Sequence, residues 1–177
     1  MPSQAAKAQE ILLPVKTSFI ILTLALAFFL NLLPWSGFGL LIRPDFVALA
    51  LLYWCIHWPR KVGLGTAWGI GLLMDVADAT LLGEHAFAYS LLAYLAIILR
   101  RRVLLFSARE QVWHILPVLL ISQLAILLIK VYNGAEFIGW GYFLSSVTGS
   151  LLWPALSALL AILLRLSPIL TRYERQH

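Results

Sequence analysis

The chain has 177 residues, 62% of them apolar and 12% charged, with a mean hydropathy of +0.90 and a formal net charge of +5. That balance excludes a soluble globular or soluble catalytic domain, because spans of roughly 20 residues each consume nearly the whole length. Basic residues are scattered at helix ends rather than gathered in one patch, which argues for membrane topology and against a nucleic-acid partner, and the single cysteine, Cys55, excludes an internal disulfide or a cysteine-based metal cluster.

One integral membrane domain over 1–177 is expected, all-α and polytopic, with six transmembrane helices at about 17–33, 45–58, 62–82, 86–99, 112–131 and 141–166. The polar start, with Lys7 and Lys16, and the apolar run after it resemble a signal peptide. The run is long for one, however, and no small-residue cleavage site follows at Pro34-Trp35-Ser36-Gly37, so an uncleaved first helix is expected. Arg43-Pro44-Asp45 then suits a helix start, with proline at the first helical position and an acid in the first turn. Helix two ends in Trp54, His57 and Trp58, an interfacial aromatic belt, before Pro59-Arg60-Lys61.

Helix three carries Asp75 and Asp78 on one face with Gly71 and Leu82, since residues three and four apart share a helix face. Gly65 and Gly69 form a small-xxx-small pair on a neighbouring face, where a second backbone can come close. Helix three is therefore the expected central packing element. A tight turn at Gly83-Glu84-His85 leads to helix four, and a polar loop holds Arg100, Arg101, Arg102 and Arg109. Helix five contains Pro117 and Gln123; helix six carries Gly141, Ser145, Gly149, Ser157 and Ala161 on one stripe, for internal packing or for a homo-oligomer interface.

With six spans and cytoplasmic N- and C-termini, the cytoplasmic segments hold Lys7, Lys16, Arg60, Lys61, Arg100, Arg101, Arg102, Arg109, Arg165, Arg172 and Arg175. These are eleven of the thirteen basic residues, as the positive-inside rule requires. Arg43 and Lys130 are the two exceptions on the outer side.

A charge at membrane depth costs on the order of 2.5–3.5 kcal/mol and marks function by default. For Asp75 two readings stand: a polar contact to a partner helix or small cavity, or an internal group satisfied by helix-terminal amides or hydroxyls. Asp78 lies nearer the outer interface and is expected to be hydrated. Arg43 and Asp45 read as an extracytoplasmic pairing site or as helix capping. The run Arg100, Arg101, Arg102 reads as a topology signal or as a docking site for an acidic partner or anionic lipid. His57, His114 and His177 fall on the inner side and His85 on the outer, so they build no triad and no metal site, and no cofactor is expected. Asn31 and Gln123 are expected to bond across helices, and Cys55 to be a small buried apolar group.

In order along the chain, Arg43-Pro44-Asp45, Tyr53-Trp54, Gly71-Leu72-Leu73-Met74-Asp75, Leu82-Gly83-Glu84-His85-Ala86 and the segment Tyr89 to Tyr94 resemble the MreD family of rod-shape-determining membrane proteins. The resemblance implies a non-enzymatic component of the bacterial inner membrane, acting in the cell-elongation machinery that builds peptidoglycan. It also implies a scaffold for the bitopic protein MreC and, through it, for cell-wall synthases and the cytoskeletal filament. The family is in turn similar in fold to the substrate-binding subunits of energy-coupling-factor vitamin transporters, so a small-molecule binding or transport subunit is the alternative.

Overall fold

A computed structural model describes residues 15–37, 39, 42–137 and 139–173, with side chains up to 166; Lys7, Arg175 and His177 fall outside it. Among the described residues there are six α-helices and no strand: α1 (Thr17–Asn31), α2 (Phe46–His57), α3 (Leu64–Ala77), α4 (Glu84–Val103), α5 (Val112–Tyr132) and α6 (Leu144–Tyr173), the last entered through a 3₁₀ turn, Trp140–Phe143. The all-α expectation holds. Two segments, Val112–Tyr132 and Trp140–Leu166, are each long and apolar enough to cross a membrane; the apolar helices α1, α2 and α3 are shorter.

The central element is α2, not the aspartate-bearing helix three. Ten of its twelve residues, Val47 through Ile56, are buried, and α1, α4 and α6 pack around it. The physical reason is that α2 is apolar on every side, so no face of it gains from exposure. Trp54, in its last turn, meets Phe19 and Tyr53 edge to face, and its indole N–H donates to Thr23 Oγ1 at 3.0 Å. Trp153 of α6 closes the other side and donates to Gln111 Oε1 at 2.8 Å.

By contrast α3 is held chiefly by α4. Gly71 is the reason the two come so close: a Cβ built there would lie 2.3 Å from Ala86 Cα. The expected small pair behaves differently, because a Cβ at Gly65 or Gly69 would meet open space. Helix three also ends earlier than expected, at Ala77 rather than 82. Thr80 N–H donates to Asp75 C=O at 3.0 Å and Ala79 N–H to Val76 C=O at 3.3 Å, the paired bonds of a Schellman stop. Ala79 takes the left-handed position, with φ of +51°, where glycine is usual, so residue type alone did not announce the stop. Helix four begins at Glu84 rather than 86 and runs on through Arg100, Arg101 and Arg102 to Val103. The three arginines therefore form the last turn of a helix, where cations suit the negative end of its dipole. In the turn that follows, Glu110 accepts from Ser107 N–H at 2.9 Å and from its hydroxyl at 2.8 Å, and these bonds hold its carboxyl below the usual pKa.

Alternate connections gather at opposite ends of the bundle. At one end Lys61 donates to Val15 C=O. At the other end the α1–α2, α3–α4 and α5–α6 connections meet, through Asn31 and Asp45, Tyr89 and Asp45, and Lys130 and Glu84.

Two substitutions test the α3–α4 hairpin. Gly71→Val is expected to lower the melting temperature of the detergent-solubilised protein sharply, because the new methyls would meet backbone. Ala79→Gly is expected to raise stability by up to about 1 kcal/mol, relieving a left-handed penalty of roughly 1–2 kcal/mol against a smaller gain in unfolded-chain entropy. A Gly71→Val protein melting with the wild type would contradict the close approach.

Candidate functional site

A carboxylate taken out of water needs donors, and the first turn of a helix has N–H groups without acceptors. Asp75 and α4 meet these needs together. Asp75 is fully buried; its Oδ2 accepts from Gly83 N–H at 2.8 Å and, more weakly, from Ala86 N–H at 3.4 Å, while Oδ1 accepts from His85 N–H at 2.7 Å. His85 Nδ1 lies 2.9 Å from the same Oδ1, and Thr80 Oγ1 reaches it at 3.4 Å. Gly83 takes φ of +105°, a conformation that turns the chain so that these amides converge. Asp75 is thus the N-cap acceptor of a helix eight residues downstream, at the positive end of its dipole. Of the two readings of Asp75, the internal one describes this geometry: the carboxylate faces its own chain and not outward.

From this knot a polar chain runs inward. His85 packs edge-on against Tyr89, one turn along α4, with ring centroids 5.7 Å apart. The Tyr89 hydroxyl donates to Asp45 Oδ2 at 2.8 Å. Asp45 Oδ1 caps α2 by accepting Ala48 N–H at 2.9 Å and also takes Asn31 Nδ2 at 2.8 Å. Asn31 in turn accepts Phe46 N–H on its side-chain oxygen at 2.9 Å and Arg43 Nη1 on its backbone carbonyl at 2.7 Å.

These groups line a cavity of about 310 Å³, closed on its other sides by α5 and α6. Gln123 clamps those two helices beside it: its Nε2 donates to Tyr142 C=O at 2.7 Å and to Ser145 Oγ at 2.6 Å, and Ser146 donates to its Oε1. Gly149 also lines the cavity, where a Cβ would lie 3.3 Å from Leu119 Cδ1. Lys130 Nζ approaches Glu84 Oε1 to 3.2 Å, an ion pair out of line for a hydrogen bond, so this buried oxygen has no hydrogen-bond donor among the described residues.

The structure brings Arg43, Asp45, Asp78, Ser145 and Gly149 together at one cavity and keeps Asp75 just behind its wall. Gly141 sits in the 3₁₀ turn that enters α6; Gly65 and Gly69 lie on the outer side of α3, and Arg100, Arg101 and Arg102 are at the opposite end of the bundle. Asn31 and Gln123 bond across helices as expected, and Cys55 is buried. His85, read as an isolated outer residue, is instead the partner of Asp75. Tyr89 and Glu84 were missed as well. The available signals were the spacing of His85 and Tyr89, four apart on one helix face, and the exceptional outer placement of Arg43 and Lys130, both of which line the cavity.

Apolar helices around a buried, hydrogen-bonded polar chamber define the class, an α-helical membrane protein. The rod shape-determining protein MreD family matches residues 14–163. Similarity to the rod shape-determining protein MreD of Haemophilus influenzae (strain ATCC 51907 / DSM 11121 / KW20 / Rd) reaches 32% identity over 133 residues, 73% of this chain and 80% of that protein. No solved structure matches. The chain belongs to the MreD family and is a rod shape-determining membrane protein.

Replacing Asp75 tests the knot. Asp75→Asn keeps one acceptor but turns an NH₂ toward N–H donors, and is expected to lose about 1–3 kcal/mol in denaturant unfolding of the solubilised protein; Asp75→Ala, which orphans several donors at once, is expected to lose more. Asp78→Asn should cost less than about 1 kcal/mol, its side chain being a third exposed and without a hydrogen bond among the described residues. Equal unfolding of Asp75→Ala and wild type would show that Asp75 does not hold the hairpin.

Proposed function

We propose that this protein is a non-enzymatic, multi-pass component of the bacterial inner membrane that holds a bitopic MreC-like partner and, through it, the cell-wall synthases and the cytoskeletal filament. The match to the MreD family across residues 14–163 carries this reading. Six spans with both termini cytoplasmic fit the arrangement of the connections: Arg60, Lys61 and the α4 arginines belong to one end, and, among the described residues, Arg43 and Lys130 to the other. The docking surface is the outer side of α3. There Gly65 and Gly69 meet open space beside the exposed Trp68 and Leu73, and small residues let a second helix backbone approach closely in lipid. The occupant that fits a strip one helix wide is the single transmembrane helix of the bitopic partner.

Gly69→Leu tests the docking face without disturbing the interior, since among the described residues nothing beyond its chain neighbours and its own helix backbone lies within 4 Å of a Cβ there. The variant should melt like the wild type, yet recover several-fold less of the bitopic partner from crosslinked native membranes, and fail to keep cells rod-shaped when it is the only copy. Undiminished recovery at normal expression would sink the docking face.

A further inference from the structure

The turn between α3 and α4 lacks the polar surface of a turn that faces water. Between Val76 and Phe87 the exposed residues are apolar except Asp78, which lines the cavity, and the two at the tip, Leu81 and Leu82, are 55% and 71% exposed. The α5–α6 connection differs, for it exposes Asn133, Gly134 and Glu136, the types usual in a turn beside water. The backbone of the α3–α4 turn is satisfied from within the chain. Ala79 and Thr80 N–H donate to carbonyls of α3, Glu84 N–H to Leu81 C=O, and Gly83, His85 and Ala86 N–H to the Asp75 carboxylate. From Ala79 to Ala86, the amides of Leu81 and Leu82 are the two that have no acceptor among the described residues.

Helix lengths give the depth of this turn. Arg60 and Lys61 are exposed just before α3, with no carboxylate within 4.0 Å among the described residues, so they mark the inner boundary. From there the 14 residues of α3 rise about 21 Å, against a hydrocarbon core of about 30 Å. The return leg agrees, since α4 rises about 24 Å between Arg100 and Glu84. Long basic side chains let the helix bases sit a few Å inside the inner boundary, which brings the turn up to the outer boundary and not past it. By contrast the 21 residues of α5 rise about 31 Å, enough to lift Asn133 and Glu136 into water. Non-helical backbone at membrane depth is tolerated only where protein groups satisfy it, the condition that Asp75 meets here.

We infer that the α3–α4 turn is a lipid-contacting surface: Leu81 and Leu82 lie among the upper acyl chains of the outer leaflet, and phospholipid headgroups close over the turn. The amides of Leu81 and Leu82 then meet the glycerol-ester carbonyls at the edge of the hydrocarbon, which accept hydrogen bonds where acyl chains do not. The occupant is the glycerophospholipid leaflet itself, because the helix lengths end the hairpin at that level. The inference rests on the six-span placement proposed above and does not use the docking face at Gly65 and Gly69.

The test measures depth on the full chain. Leu82→Cys and Asn133→Cys proteins are each labelled with a methanethiosulfonate nitroxide and reconstituted into vesicles of phosphatidylethanolamine and phosphatidylglycerol. Power saturation is then recorded under oxygen, which concentrates in hydrocarbon, and under a neutral nickel chelate, which stays in water. The unsubstituted chain, treated in parallel, measures any signal from the buried Cys55. At position 82 oxygen should relax the label several-fold more than nickel, and at 133 the order should reverse. Leu81→Cys repeats the measurement at the neighbouring exposed position, so the result does not hang on the recovery of one variant. A label at 82 as open to nickel as the one at 133 overturns the inference. So does a label closed to both reagents, which would mean that a second copy of the chain covers the turn. In intact cells an impermeant maleimide should reach Asn133→Cys from outside and not Arg60→Cys. Labelling of both from the same side would remove the six-span placement, and the inference with it, whereas failure at 82 alone leaves that placement standing.

Discussion

The bonds between the Asp75 carboxylate and the first amides of α4 are the constraint on which the outer half of this fold depends. Either group left alone among apolar side chains would be costly: a charge without donors on one side, helix N–H groups without acceptors on the other. Joined, each removes the other's penalty, and the positive end of the α4 dipole adds to the attraction. The joining also fixes geometry. It requires α3 to stop at Ala77, the chain to turn through Ala79 and Gly83, and α4 to lie close enough to α3 that Gly71 faces Ala86 without room for a side chain.

Once α4 is placed, its second turn carries Tyr89 to Asp45, and Asp45 has two tasks: it caps α2 and gathers Asn31 from the end of α1. Two of the chain's connections are thereby tied at one end by hydrogen bonds, and the third joins them through the Lys130–Glu84 ion pair rather than by apolar contact. In lipid this matters, because apolar surface gains little by choosing a neighbouring helix over an acyl chain, whereas a polar bond made between helices has no equivalent in the hydrocarbon. The apolar α2 then fills the space that this polar end and the outer helices enclose.

The outer end is also where the charge distribution departs from topology. Eleven basic residues take the cytoplasmic placement that the six-span expectation gives them, by the positive-inside rule. Arg43 and Lys130 do not fit, and both line the polar cavity. A family whose members set cell shape thus carries, in this chain, a chamber on the side facing away from the arginine-rich end and a glycine strip on α3 directed outward. The two features lie on different surfaces.

The sequence by itself determined the class and the number of helices. Composition required a membrane protein, the apolar runs located six helices, and the ordered residues between Arg43 and Tyr94 carried the family. It also marked Asp75, Arg43 and Asp45 as unusual. Which helix is central was not legible, since a charge draws notice to helix three while the uniformly apolar α2 looks like any other span. Nor could the sequence show that His85 turns back onto Asp75: the stop at Ala79 uses a residue with no particular preference for the left-handed conformation. Spacing along one chain reports which residues share a helix face. Which faces meet is set by three-dimensional packing, and only that decided that Asp75 caps a helix and that Arg43, Asp45 and Asp78 surround a common cavity.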